Sequence, residues 1–574
     1  MTETREWAVF DRGGYLACLP VCGETPSSVA VVGGAKVPHN RLWMRCDSDC
    51  APLLPEARTR AGQLDIETLW RAAAGDTLAP AELARRAGAE DLPAALAVLQ
   101  AALDNPAYFR RREGLLAPVA EEVLKRVRAS LQRRAEESAA ESAILAQIGK
   151  SAAPPPEIMD ARGALLAGEE KNTAVFRAAK KAAGGERYIP EWLVQIGACA
   201  DARECWARMF DRRWPPRPPD AAPSAVPDLP ESEAARAFSI DETGTFEVDD
   251  AFSARALPGG DCVVGIHIAV PALDLSLVSG GEYSARRLTS VYFPGGVKHP
   301  MLSSSHIDRY SLRAGGRRPA LSLYCRFDRE NGVLGDMRTR ADSVQIDKNF
   351  RPEDFDDGAP QEFAEEYEIL RDFAALLPPL PGGARTEYRI QTSPPKIVAV
   401  DRPQIGMLVE KMMRLINAEW GRQMRGRGGL FRAGGALSPR ADPENVYAWA
   451  SSPLRRYPDL ANQRLLLSLH NIAPPPSIHW RTVAREYSSQ QTRARHFQDM
   501  MERHWILRAL SELPPGTELR ARRLEKNKAR LRDYPLSGAI VNEPRYPKPP
   551  PDEEIQVRLG DIDFFIQRAR FERV

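Results

Sequence analysis

The sequence predicts an α+β protein built from several domains, and three observations carry that expectation. Strand-like segments stand near both ends, with Trp7-Ala8-Val9-Phe10, Tyr15-Leu16-Ala17-Cys18-Leu19 and Val29-Ala30-Val31-Val32 early and Ile555-Gln556-Val557-Arg558-Leu559 late. From Asp65 onward the apolar positions take helical spacing. In the middle, Cys262-Val263-Val264-Gly265-Ile266-His267-Ile268-Ala269-Val270 reads as a buried strand. A chain of 574 residues has length for roughly three or four such domains.

Composition narrows the classes. The formal charge of +2 rules out a global polycation, so any nucleic-acid surface must be a local cluster of Lys and Arg. No run of eighteen apolar residues occurs, so no membrane partner is expected. Met1 to Trp7 carry charges of both signs and lack the apolar core of a secretion signal, which predicts a cytoplasmic protein; a monomer is expected. Cys199, Cys205, Cys262 and Cys325 are scattered and read as small core residues. Cys18, Cys22, Cys46 and Cys50 form two Cys-x-x-x-Cys pairs, a spacing compatible with structural zinc; reduced thiols are the preferred reading.

In chain order, residues 1–60 form a small β-rich segment without a functional reading. Residues 61–120 follow the order of a winged helix-turn-helix. Ile66, Leu69 and Trp70 open one helix, Thr77 to Arg86 holds a second with Pro80 in its first turn, and Leu92 to Leu103 a third. Tyr108 to Leu116 reads as a basic two-stranded wing. Gln100 is nearly the only groove-reading side chain of the third helix, so the unit is expected to position nucleic acid or to pack rather than to read sequence. Residues 121–224 are a helical connection ending in a Pro-rich stretch from Trp214 to Pro230.

The chain turns on Phe238 to Phe252. Five carboxylates, Asp241, Glu242, Glu247, Asp249 and Asp250, crowd a segment otherwise apolar enough to be partly buried. Like charges so placed repel, and a hard divalent cation with oxygen ligands is the simplest neutraliser. Such a cation with open sites for phosphate points to nuclease, polymerase or phosphatase chemistry. A solvated acidic turn around Gly244 explains the same run. Further on, His267 between apolar neighbours reads as a core histidine.

Four more blocks follow: Ser290-Val291-Tyr292-Phe293-Pro294-Gly295-Gly296, Pro300-Met301-Leu302, Ser311-Leu312-Arg313 with Arg318 to Ser322, and Ser451-Ser452-Pro453-Leu454-Arg455-Arg456-Tyr457-Pro458-Asp459-Leu460. Together with the acidic stretch, in this order, they resemble the catalytic domain of the ribonuclease II and ribonuclease R family over about residues 225–510. The resemblance implies an RNB-type catalytic domain followed by an OB-fold RNA-binding barrel over 511–574. It also implies a processive, magnesium-dependent hydrolytic exoribonuclease that releases nucleoside 5′-monophosphates from the 3′ end of single-stranded RNA. By position, the metal set is Asp241, Glu247, Asp249 and Asp250, with Asp241 and Asp250 as direct ligands and Glu242 outside the pattern. Asp249 would hold a second metal or orient the attacking water. Arg455 matches the arginine that acts on the scissile phosphate, and Arg456 is a phosphate-positioning or ion-paired neighbour. Tyr292 matches the aromatic that packs on the terminal nucleotide, and Tyr388 a second jaw of that clamp. Glu410 and Glu502 match residues near the terminal nucleotides.

The chain departs from the family at several points. Glu247 stands where aspartate is usual, Gln463 where a histidine precedes Arg464, and Trp449 where many members have histidine. Residues 62–119 look helical and winged where cold-shock-type barrels are usual. The final segment brings Arg520, Arg522, Arg523, Lys526, Lys528, Arg530 and Arg532 close together, a local charge suited to phosphate backbone. Two rival readings are a catalytically weak or silent RNA-binding protein and a DNA-binding regulator using the winged module.

Overall fold

The computed structural model describes every residue except 1–5, 113, 149, 151–152, 221, 234–235, 243, 278–285, 357, 382–386, 401–402, 434–435, 442–445, 526 and 543–551. Glu113 of the expected wing, Thr243 of the acidic stretch, Arg385 and Thr386 beside Tyr388, and Lys526 of the basic tail lie outside the described residues. The chain divides into two compact units. One holds Met1–Ala146 with Thr173–Ala178; the other holds Gln147–Asn172 with Ala179–Val574.

The first unit opens with a five-stranded antiparallel sheet in the order Lys36–Pro38, Ser28–Val31, Leu16–Glu24, Trp7–Asp11, Leu42–Cys46. Alternation along Trp7–Asp11 sends Ala8 and Phe10 to one apolar cluster and Val9 to the other, as the two-residue period of a strand requires. Helices Leu54–Ala61, Ile66–Ala72, Pro80–Arg86 and Leu92–Asp104 follow, then the hairpin Phe109–Arg112 with Leu115–Pro118. Asp65 caps Ile66–Ala72 by accepting from the backbone N–H of Glu67 and Thr68, and Asp91 caps Leu92–Asp104 through Ala94.

Leu92–Asp104 is buried from Leu96 to Ala102, because its Ala- and Leu-rich faces pack against neighbours on more than one side. Gln100, the side chain considered for groove reading, is buried. Its Oε1 accepts the Leu16 N–H at 3.1 Å and its Nε2 donates to Asp104 at 2.8 Å. The sulfurs of Cys18 and Cys50 lie 3.0 Å apart in the same core, while Cys22 is exposed.

The second unit contains two closed five-stranded barrels. The first runs Asp261–Ala269, Gly316–Asp328, Val333–Phe350, Ala237–Ile240, Asp250–Ala256 around its circumference. The second runs Glu518–Leu524, Lys528–Leu531, Ser537–Ile540, Arg568–Arg573, Glu554–Asp563. An odd number of strands cannot alternate direction all the way round, so each barrel closes through a parallel pair: Val333–Phe350 with Ala237–Ile240, and Ser537–Ile540 with Arg568–Arg573. Helices Ala364–Leu376, Gln404–Met424, Tyr457–Leu469 and the 32-residue Trp480–Ser511 pack around the first barrel or lead to the second. No helix among the described residues is long and apolar enough to cross a membrane.

Inside the first barrel a polar chain is fully buried. His267 Nδ1 bonds Ser322 Oγ at 2.7 Å, that hydroxyl donates to Asp342 at 2.6 Å, and Ser253 Oγ lies 2.8 Å from His267 Nε2. Since Ser322 spends its proton on Asp342, the His267 proton sits on Nδ1 and Nε2 accepts from Ser253. The expected core histidine is therefore satisfied on both nitrogens. Gly265 leaves the necessary space, since a Cβ there would collide with Ser253 Oγ.

Candidate active site

The acidic stretch connects two strands of the first barrel. Ala237–Ile240 ends just before Asp241, whose N–H continues the parallel ladder to the Phe350 carbonyl at 2.9 Å; Asp250 is the first residue of the next strand. Gly244 turns the connection at φ +77°, a conformation that favours glycine. Ser311 then pins the returning arm: its hydroxyl donates to the Phe246 carbonyl at 2.8 Å and accepts the Val248 N–H at 3.0 Å. Leu312 N–H adds a bond to the Val248 carbonyl at 3.0 Å. With Val248 anchored in the core, Asp241, Asp249 and Asp250 are held at one mouth of the barrel.

Burial sets their electrostatics. Desolvation pushes Asp241 up to about 6, against one hydrogen bond from Ser239 at 2.8 Å and the attraction of Arg455. Desolvation likewise raises Asp249 to about 7, opposed by Arg455 and the Leu454 N–H. Asp250 is pushed well above the carboxylate range by burial, then by the charges of Asp241 and Asp249. Burial raises Glu247 too, against the hydroxyls of Ser290 and Tyr292.

The Ser451–Asp459 segment meets this mouth from a distant part of the chain. Asp249 Oδ1 accepts the Leu454 N–H and its Oδ2 accepts Arg455 Nε, both at 2.9 Å. Arg455 Nη2 donates to Ser452 Oγ at 2.8 Å, and its carbonyl accepts the Ser290 N–H at 2.9 Å. Its Nη1 has no protein partner among the described residues, and 43% of the side chain is exposed. Helix Tyr457–Leu469 begins directly afterwards, with Pro458 in its first turn. Buried Asp459 accepts from Ser452 N–H at 2.8 Å and Arg456 Nη2 at 2.6 Å. Arg456 also lies over the Trp449 ring, 4.8 Å from its centroid, so the ion-paired reading describes it.

Glu247 has both oxygens occupied, Oε1 by Ser290 Oγ at 2.6 Å and Oε2 by Tyr292 Oη at 2.5 Å. Tyr292 is held a second time through its carbonyl, which accepts Gln498 Nε2 from the long helix at 3.3 Å. The expected set of four thus divides. Asp249 and Glu247 are tied to protein donors, whereas Asp241 keeps one donor and Asp250 has none among the described residues.

Among the described residues no three Asp, Glu, His or Cys side chains converge as a complete cation cage. A magnesium ion does not require one, since it uses one or two carboxylates and fills its other positions with water and phosphate. Asp241 and Asp250, hard oxygen donors of which the first raises the proton affinity of the second, suit that role.

The other expected residues are held as follows. Tyr388, expected as the second clamp jaw, sits on the hairpin Glu387–Thr392 with Pro395–Val400. Its hydroxyl donates to the Arg532 carbonyl at 3.0 Å, and its ring packs on the core of the second barrel. Glu410 is ion-paired with Arg414 one turn along its helix at 2.9 Å. Glu502 is exposed on Trp480–Ser511, one turn beyond Gln498. Ser290, Ser311 and Ser452, which orient the site, carried no signal in the sequence beyond membership of quoted blocks, and Gln498 carried none. Glu242, read as solvated, is exposed and lies 3.3 Å from Arg389.

With this geometry in view, comparison with known proteins identifies a domain. The RNB domain family matches residues 231–441. The chain carries an RNB domain. Ribonuclease R of Chlamydia muridarum is 36% identical over 103 residues, 18% of this chain and 15% of that protein. The human 3′-5′ exoribonuclease HELZ2 is 33% identical over 119 residues, 20% of this chain and 4% of that protein. The chain therefore aligns with only a small part of either relative's length.

In fold, an active-site mutant of the Dss1 exoribonuclease from Candida glabrata superimposes with a TM-score of 0.62 at 15% identity, covering 100% of this chain and 97% of the other. The apo form of Mycoplasma genitalium RNase R gives 0.52 at 13% identity, covering 60% and 72%. The RNB match ends before Arg455; tertiary contact alone joins that segment to the RNB domain's acidic mouth.

Proposed function

We propose that this chain is a magnesium-dependent, processive exoribonuclease that hydrolyses single-stranded RNA from the 3′ end to nucleoside 5′-monophosphates. The observation that carries the reading is the buried Asp249–Arg455 contact beside the acidic pair Asp241 and Asp250. A bound magnesium would polarise the scissile phosphate and lower the pKa of its water.

Each residue then has a task. Asp241 and Asp250 hold the metal. Asp249 fixes the Arg455 guanidinium by Nε, which turns the free Nη1 edge toward a phosphate whose non-bridging oxygens gain charge in the transition state. Tyr292, hydroxyl-locked on Glu247, offers its ring to the terminal base without sequence preference. The second barrel serves as an OB-type RNA-binding module. The helices and hairpin over 61–120 form a winged module that positions RNA or packs.

The double anchoring of Glu247 by Ser290 and Tyr292 favours a second reading, a silent RNA-binding protein whose metal site lacks one carboxylate. Burial of Gln100 speaks against the DNA-reading rival. The deciding experiment incubates the purified chain with labelled single-stranded RNA and magnesium, beside Asp249→Asn. Monophosphate release by wild type and its loss in the variant support the enzyme. Binding without release supports the silent reading.

A further inference from the structure

Behind Glu247 lies a cavity that the proposed reaction does not use. Its volume of about 550 Å³ falls within the range of about 300–1,000 Å³ typical of small-ligand sites. Glu247 forms part of its wall while its carboxylate holds the Tyr292 hydroxyl, so the cavity adjoins the position proposed for the terminal nucleotide.

The other walls are cationic. Arg217, Arg287, Lys298 and Arg313 all line it, against the carboxylates of Glu247 and Asp308. Asp308 is paired with Arg313 at 2.8 Å, and Glu247 is engaged by two hydroxyls. Arg217, Arg287 and Lys298 form no direct ion pair among the described residues, although Asp220, Asp211 and Glu247 respectively attract them through space. Arg217 donates to Ser304 Oγ at 2.6 Å. Half-buried Arg287 donates to the carbonyls of Pro215 and Pro300, and Lys298 to that of Gly244. Cations held together by neutral acceptors form a site with charge to spare.

Phe246 completes it. The ring is 58% exposed, with Lys298 Nζ 4.7 Å and the Arg313 guanidinium 5.4 Å from its centroid. An exposed ring among cations offers a nucleobase an apolar surface beside its phosphate.

We propose that this cavity binds a nucleoside monophosphate, its phosphate on Arg217, Arg287 and Lys298 and its base against Phe246. Charge selects this ligand over an RNA segment: a phosphate monoester carries about −1.5 to −2 at pH 7, whereas each phosphodiester of a chain carries a single charge. The inference deepens the proposed function, since a monophosphate released at Tyr292 would pass directly to this site and restrain further turnover as product.

The test is calorimetric titration of the full chain in EDTA, where no turnover occurs, with AMP, adenosine and a single-stranded RNA oligonucleotide. Wild type is expected to bind AMP saturably and adenosine at least about tenfold more weakly. Arg217→Ala and Lys298→Ala, made separately so that each removes one exposed contact, are each expected to weaken AMP at least about tenfold and RNA less than about twofold. Absence of saturable AMP binding overturns the proposal. So does unchanged AMP affinity in both variants, or equal loss of AMP and RNA, which would make the cavity part of the RNA path. AMP binding as expected in a chain that releases no monophosphates from RNA would sustain this site and sink the exoribonuclease reading.

Discussion

Asp249 and Arg455 stand 206 positions apart in the chain and share a 2.9 Å hydrogen bond, with Asp249 almost wholly buried beneath the guanidinium. The adjacent Leu454 N–H bonds the other oxygen of the same carboxylate, so the arginine is fixed through side chain and backbone together. Its position is set before any substrate arrives.

Removing that charge should separate chemistry from binding. Asp249→Asn keeps the shape but releases the guanidinium, so RNA turnover is expected to fall at least about 100-fold, the scale of losing a preorganised transition-state donor. Single-stranded RNA affinity should stay within about twofold. Single-turnover assays beside filter binding check this; normal turnover would remove Asp249 from the mechanism.

Tyr292 has two functions that substitution can tell apart. Tyr292→Phe keeps the ring and loses the hydroxyl bond to Glu247, whereas Tyr292→Ala loses both. Stacking on an aromatic contributes about 1–3 kcal/mol per base. RNA affinity should therefore hold within about twofold in Phe and drop roughly tenfold in Ala. Equal losses in the two would show that the hydroxyl, not the ring, matters to RNA.

The raised carboxylates predict a pH dependence with a definite sign. Asp241 at about 6, Asp249 at about 7 and Asp250, also pushed well above its ordinary range by burial, all ionise in the unfolded chain near pH 4. A raised acid binds its proton more tightly when folded, so its contribution to stability is present below the unfolded value and is lost as pH rises toward 7. The metal-free protein should melt progressively lower from pH 4 to 7. Because a metal needs the deprotonated pair, the stabilisation by magnesium should grow from pH 5 to 8. Scanning calorimetry in EDTA and in magnesium, with Asp250→Asn as the control that flattens both trends, checks it. A magnesium shift equal at pH 5 and 8 would refute the assignment.

The basic tail divides into paired and unpaired charges. Arg520, Arg522, Arg523 and Arg532 are bridged to Asp533, Asp552, Glu553 and Glu554, so four of the seven charges in the apparent cluster are neutralised. Lys528 and Arg530 have no ion pair among the described residues. Substituting these two by Ala is expected to weaken RNA binding and flatten its salt dependence, while Arg520→Ala does little. Titrations at several salt concentrations decide.

Much of the site was readable from spacing because the readable part is local. Asp241, Asp249 and Asp250 share one connection between strands, and the Ser451–Asp459 segment is continuous with its helix, so ordered motifs sufficed. Tyr388 shows the limit of local pattern: an aromatic on a short strand reads alike whether it clamps a ligand or packs on a barrel, and its Arg532 carbonyl partner lies 144 positions away. Burial of Gln100 fits the expectation that its helix packs rather than reads sequence, although helical periodicity alone does not say that a helix is covered on more than one side. Ser290, Ser311, Ser452 and Gln498 are ordinary residue types without spacing, visible only once their acceptors are in place.

By itself the sequence determined the alternation that makes the strands, the crowding of acids that calls for a cation, and the order of blocks that carries the family likeness. Only the tertiary structure decided which carboxylates remain open and which are tied down. That outcome depends on donors brought in from elsewhere in the chain: Arg455 and Leu454 for Asp249, Ser290 and Tyr292 for Glu247. A carboxylate's proton affinity and its availability to a metal are set by what surrounds it after folding, and chain neighbours supply only part of that shell.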